Sequence, residues 1–109
     1  MEHKMRLVDF AFREIKSGRK TIELRLNDEK RSLINIGDTI LFEHMDTKET
    51  IKCKVINLYK EKSFKPLFDR FDNKVLGLDD GIDETVMNSF YSTDEIEKYG
   101  ALGIEIELI

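Results

Sequence analysis

The stretch Gly18-Arg19-Lys20-Thr21-Ile22-Glu23-Leu24-Arg25-Leu26 decides how this chain is to be read. From Thr21 to Leu26 the residues alternate strictly, with Ile22, Leu24 and Leu26 on one side and Thr21, Glu23 and Arg25 on the other. That two-residue period predicts a β-strand. Ser17-Gly18 predicts the turn that feeds it, because glycine enters the left-handed backbone region without steric cost. Upstream, Met5 to Val8 reads as a short strand. Asp9 then offers a side-chain oxygen to cap a helix over about Phe10 to Lys16, whose apolar contacts are Phe12 and Ile15.

Downstream, Asn27 to Arg31 is polar, and Leu33, Ile34 and Ile36 lead to the turn dipeptide Gly37-Asp38. A strand over Thr39 to Glu43, a turn at Asp46 to Glu49 and a returning strand from Thr50 to about Lys60 predict a hairpin. Ile51, Cys53 and Val55 share one face of the returning strand, and beyond Val55 both faces turn apolar, which predicts a bulge. Ser63 is read as the cap of a helix carrying Phe64, Leu67, Phe68 and Phe71, with Pro66 tolerated in its first turn. A short helix is expected from about Asp83 to Ser89. Ser92-Thr93-Asp94-Glu95 has the capping-box pattern for a last helix ending before Gly100. Ala101 to Ile109 alternates again and is expected to close the sheet.

A chain of 109 residues suffices for one hydrophobic core, so one domain over residues 1–109 is expected. With 40% hydrophobic and 37% charged residues it suits a packed core with a well-solvated surface. No long apolar run follows Met1, so neither a signal peptide nor a membrane span is predicted, and the expected compartment is the cytosol. The single cysteine, Cys53, is expected to be a buried thiol. The net charge of -4 argues against a broad polyanion-binding surface. It is unevenly spread, however: residues 1–65 carry +4 and residues 66–109 carry -8.

His3, His44 and Cys53 give no zinc-ligand spacing, and Asp79-Asp80-Gly81-Ile82-Asp83-Glu84 lacks the alternating ligands of a calcium loop. No metal and no cofactor are expected. Nothing in the residues sets the oligomeric state. The chemistry concentrates instead on the opening segment. Glu23 and Arg25 should project from one strand face about 7 Å apart from Cα to Cα. Arg25 suits a phosphate or a base edge, and Lys20 offers charge or, if desolvated, a base. Glu23 can accept from a base amino group or orient Lys20. The alternative is an exposed strand face whose Glu/Arg pair contributes little.

Phe12, Ile15, the Gly18 to Leu26 segment, Asp28, Lys30-Arg31, Ile36-Gly37-Asp38-Thr39-Ile40-Leu41-Phe42, Tyr91-Ser92 and Tyr99-Gly100-Ala101-Leu102-Gly103-Ile104-Glu105-Ile106 occur in a telling order. Together they resemble the ASCH domain, a branch of the PUA-like superfamily, in its small single-domain bacterial form. The resemblance implies an α+β fold, a small mixed β-barrel with flanking short helices, and a cleft faced by the Gly-Arg-Lys-Thr-Ile-Glu-Leu-Arg segment. It also implies RNA or a nucleoside or nucleotide as ligand, with Lys20, Thr21, Glu23 and Arg25 as binding residues and Tyr91 and Tyr99 for stacking. One ASCH branch deacetylates 4-acetylcytidine. Its catalytic lysine matches Lys20, but its threonine three positions later is here Glu23, and the place of its downstream glutamate is open between Glu84, Glu95 and Glu97. Lys20 with Glu23 in support is therefore the catalytic set if the chain is a hydrolase of that type or a ribonuclease.

Overall fold

A computed structural model describes all residues, 1–109. Five strands form one sheet: β1 (Glu2–Leu7), β2 (Ile22–Leu26), β3 (Thr39–His44), β4 (Thr50–Glu61) and β5 (Ala101–Leu108). Their order is β1-β3-β4-β5-β2, with β1 parallel to β3 and every other pairing antiparallel. The sheet curls into a nearly closed half-barrel with short helices beside it, the architecture of the PUA-like α+β class. The β3–β4 hairpin and the irregularity between Val55 and Asn57 lie where the alternation places them.

Four helices flank the sheet: α1 (Asp9–Lys16), α2 (Lys65–Arg70), α3 (Asn73–Leu76) and α4 (Thr93–Tyr99). Ser92 and Glu95 make the reciprocal capping box at the start of α4. Several local expectations change. Asp9 is not the cap of α1 but its first residue, because its carboxylate is taken by Arg13 and His44; Val8 stands at the cap without a side-chain bond. Ser63 does not cap α2; the cap position falls one residue later, at Phe64, which makes no side-chain capping bond. The Asp83 to Ser89 stretch is a 3₁₀ turn over Glu84–Ser89, with Asp83 accepting from the Thr85 N–H. The short α3 has no counterpart in the sequence reading, since four residues are too few to show a helical period.

The last strand does not sit at an edge. β5 lies between β4 and β2, and its composition explains the position. Leu102, Ile104 and Ile106 enter one apolar cluster with Met5, Leu7, Phe12, Ile15, Phe42, Cys53 and Val55. Ala101 joins a second cluster on the other face with Ile22, Leu24, Leu26, Phe64, Leu67, Leu76 and Met87. A Cβ on Gly103 would stand 3.3 Å from the Leu67 side chain, so the small residue lets α2 lie close. Both faces of β5 are thus covered, as a central strand requires.

Gly100 links α4 to β5 with φ 76° and ψ -174°, a region open essentially to glycine alone. A Cβ there would meet the Glu61 carbonyl oxygen at 2.6 Å. Gly100→Ala is expected to lower the unfolding free energy by about 1–3 kcal/mol, read from the denaturant midpoint at unchanged slope.

Candidate ligand cavity and its buried charges

Register, not exposure, sets the character of the central segment. Glu23 pairs with Ile104 and Arg25 with Leu102, so both charged side chains stand on the sheet face that carries the first apolar cluster. Glu23 is buried, only 4% exposed, and Lys20 is buried beside it at 8%. The open, solvated face that alternation alone allows is therefore absent.

A carboxylate out of water must be paired, and Glu23 is paired twice. Lys20 Nζ lies 3.2 Å from Oε1, and Arg25 Nε donates to Oε2 at 2.9 Å. The two cations are themselves held: Lys20 Nζ donates to the Leu76 carbonyl at 2.8 Å, and Arg25 Nη2 to the Arg6 carbonyl at 2.9 Å. Arg6 belongs to β1 and Arg25 to β2, the two edges of the sheet, so this guanidinium crosses the seam of the half-barrel. Burial pushes the Glu23 carboxyl up, but Lys20 and Arg25 outweigh it and hold the group below the ordinary glutamate range. Burial likewise opposes the charge on Arg25, and Glu23 overcomes it, so the guanidinium is held even more firmly protonated.

The backbone makes room for this arrangement. Gly77 follows α3 in the left-handed conformation at φ 74°, and a Cβ there would stand 2.6 Å from Lys20 Cδ. Thr21 is fixed by backbone bonds on both sides, its N–H donating to Val75 and its carbonyl accepting from Ile106.

The three charges meet at a cavity of about 300 Å³. Its other lining is mainly apolar, with Leu24, Leu76, Leu78, Val86 and Met87 among the enclosing residues and Tyr91 beside the charges. Large apolar residues from three separated segments complete it while remaining partly open to solvent: Phe10 is 43% exposed, Met45 46% and Phe90 62%. Burial pushes the Tyr91 hydroxyl up, and it also feels the charges of Arg25 and Glu23.

Lys20, Glu23, Arg25 and Tyr91 thus come together. Thr21 does not join them; it lines a separate cavity of about 180 Å³ with Cys53 and Ile106, which also touches the Lys20 stem. Tyr99 lines neither cavity and packs on the second apolar cluster, with Lys98 Nζ 5.0 Å from its ring centre. Glu84, Glu95 and Glu97 are likewise outside the main cavity. Cys53 is fully buried, and burial pushes its thiol up to about 11. Gly77 and the apolar residues Phe10, Met45 and Phe90 were not among the sequence candidates. Phe10 had one available signal, an aromatic residue out of phase with the Phe12 and Ile15 face of its helix.

The ASCH domain family model matches residues 5–109, nearly the whole chain. The chain belongs to the ASCH domain family. Among solved structures it is similar to hypothetical protein PH0355 at 33% identity and a TM-score of 0.85, over 100% of both chains. It is also similar to PF0455 from Pyrococcus furiosus at 30% identity and a TM-score of 0.70, over 100% of this chain and 98% of that one. An ASCH protein from Zymomonas mobilis shares the fold at 17% identity and a TM-score of 0.60, with 97% of this chain covering 66% of it. No protein of curated function matches. These likenesses establish the ASCH family without singling out a bacterial form. No helix is long and apolar enough to cross a membrane, and no group of three or more His, Cys, Asp or Glu side chains stands ready for a metal.

Removing the buried carboxylate would leave two cations unpaired, so Glu23→Ala is expected to cost about 3–5 kcal/mol of stability. The pH dependence has a definite sign. A depressed folded-state pKa makes the Glu23 contribution complete above the ordinary glutamate range near 4.5, and the contribution drains as pH falls through the lower folded value. Urea titrations between pH 7 and 3 are expected to show a shallower acid decline for Glu23→Gln than for the parent.

Proposed function

We propose that this ASCH domain, residues 1–109 acting as one unit in the cytosol, binds a nucleoside, free or within RNA, through one base inserted into the 300 Å³ cavity. The observation that carries the reading is a charged floor with unused hydrogen-bonding capacity beneath apolar walls. Arg25 Nη1 donates to no protein acceptor, and Glu23 Oε2 accepts only from Arg25. The floor therefore offers donors for a ring carbonyl or nitrogen and an acceptor for an amino group. A nucleobase edge carries that combination, and Tyr91 supplies an aromatic face beside it. Lys20 chiefly holds Glu23 charged and adds positive potential toward an oxygen of the ligand.

Binding is favoured over covalent catalysis by the same geometry. No serine, threonine or cysteine lines the cavity, and the Thr21 side chain serves the other one. A carboxylate held below its ordinary pKa is also a weak general base. Hydrolysis of 4-acetylcytidine or RNA remains the second reading, supported by the match of Lys20 to the deacetylase lysine, with Lys20 and Glu23 as its catalytic pair.

Calorimetric titration with cytidine, 4-acetylcytidine, uridine, adenosine, guanosine and a short single-stranded RNA at low salt tests the proposal. At least one of these is expected to bind. Arg25→Gln is expected to weaken that binding about tenfold or more, the worth of one hydrogen bond to a charged group. Absence of binding across the whole panel sinks the proposal. Turnover of 4-acetylcytidine or RNA by the parent but not by Lys20→Ala would replace it with the hydrolase reading.

A further inference from the structure

One buried polar group takes no part in the charged floor, yet it joins two of the segments that carry the cavity's apolar residues. His44, the last residue of β3, is 5% exposed, and its ring meets the Phe12 ring edge to face at 5.2 Å. Its Nδ1 receives two backbone donors from the hairpin turn, the Asp46 N–H at 3.0 Å and the Thr47 N–H at 3.1 Å. A ring nitrogen that accepts cannot carry the proton, so the neutral ring holds its hydrogen on Nε2. That nitrogen lies 2.9 Å from Asp9 Oδ1, at the first residue of α1. One imidazole therefore joins the β3–β4 turn to the start of α1.

The residues adjacent in sequence to this link are cavity residues. Val8, Phe10 and Ala11 flank Asp9, and Met45 follows His44; all four line the cavity, and Val8, Phe10 and Met45 are left partly open to solvent. Two further contacts tie the turn to this side: the Met45 N–H donates to the Leu7 carbonyl, and Lys16 at the far end of α1 pairs with Glu49. We propose that His44 is a positioning residue for the cavity: as the Nε2–H tautomer it locks α1 to the hairpin turn and so sets the apolar wall of Phe10 and Met45 against which a bound base packs. The inference rests on the ligand reading above. The hydrogen bond from His44 is also the first of the influences that hold the Asp9 carboxyl below its ordinary range.

The experiment separates the link from simple loss of charge. Asp9 is largely exposed, so variants there are expected to fold. Asp9→Asn keeps an oxygen to accept from His44 but loses the charge that faces Arg13 and the helix start, whereas Asp9→Ala loses all three. With the nucleoside of the calorimetric panel that the parent binds most tightly as the probe, Asp9→Ala is expected to weaken binding about tenfold while Asp9→Asn stays near the parent, the difference being the one hydrogen bond that Asp9→Asn keeps with His44. Long-range 1H–15N spectra are expected to show the Nε2–H tautomer in the parent, and faster exchange of the Asp46 and Thr47 amides in Asp9→Ala. An Nδ1–H tautomer, or equal affinity in Asp9→Ala and the parent, overturns the inference and leaves the proposed function standing. A parent that binds no nucleoside overturns both.

Discussion

The burial of the Glu23 carboxylate constrains everything around it. An ionised group held out of water needs opposite charge at hydrogen-bonding distance, and each partner must then satisfy its own remaining donors. Here those obligations run outward through the fold. Lys20 answers to the Leu76 carbonyl at the end of α3, and Arg25 to the Arg6 carbonyl on β1. A single side chain on β2 thereby ties the opposite edge of the sheet and a neighbouring helix to itself. Gly77 belongs to the same chain of causes, since the Lys20 stem occupies the space where any larger residue would place its Cβ.

Such a triad is weak as a source of stability, because desolvation of three charges offsets most of their attraction. Its physical value lies in what remains after pairing. Two cations and one anion leave one positive charge beside an apolar cavity, together with N–H groups on Arg25 that no protein acceptor uses. The apolar clusters on the two faces of the sheet supply the main stabilisation and hold these groups in place. Packing thus supports the polar site, and the site in turn bridges the one seam that strand pairing leaves open.

Local periodicity made much of this legible. Alternation over Ile22 to Leu26 and over Ala101 to Ile106 located β2 and β5, and the Ser92/Glu95 pair located α4, because each signal is complete within a few neighbouring residues. The Lys20, Glu23 and Arg25 grouping was visible for the same reason. Its burial was not, because that depends on Glu23 facing Ile104 and Arg25 facing Leu102, partners about eighty residues away in the chain. Asp9 shows the same limit from the other side. Its capping chemistry reads correctly in isolation, but His44, thirty-five positions on, competes for the carboxylate and wins. Phe10, Met45 and Phe90 reach one cavity from three separated segments, a convergence that tertiary structure creates.

The protein's overall charge and the charge of its cavity have opposite signs, and distance decides which matters to a ligand. The net charge of -4 is dispersed over a surface where water and salt screen it beyond about 10 Å at 0.1 M ionic strength. The excess positive charge of the triad acts within contact distance and through a medium of lower dielectric, where each interaction is several times stronger than in water. An acidic domain can therefore present a cationic recognition point, provided that the ligand leaves solvent to reach it. The apolar walls favour that transfer for the flat part of a ligand and disfavour it for a group that keeps its hydration. A base inserted edge-first meets both conditions, whereas an extended polyanion lying across the surface would meet the acidic exterior first.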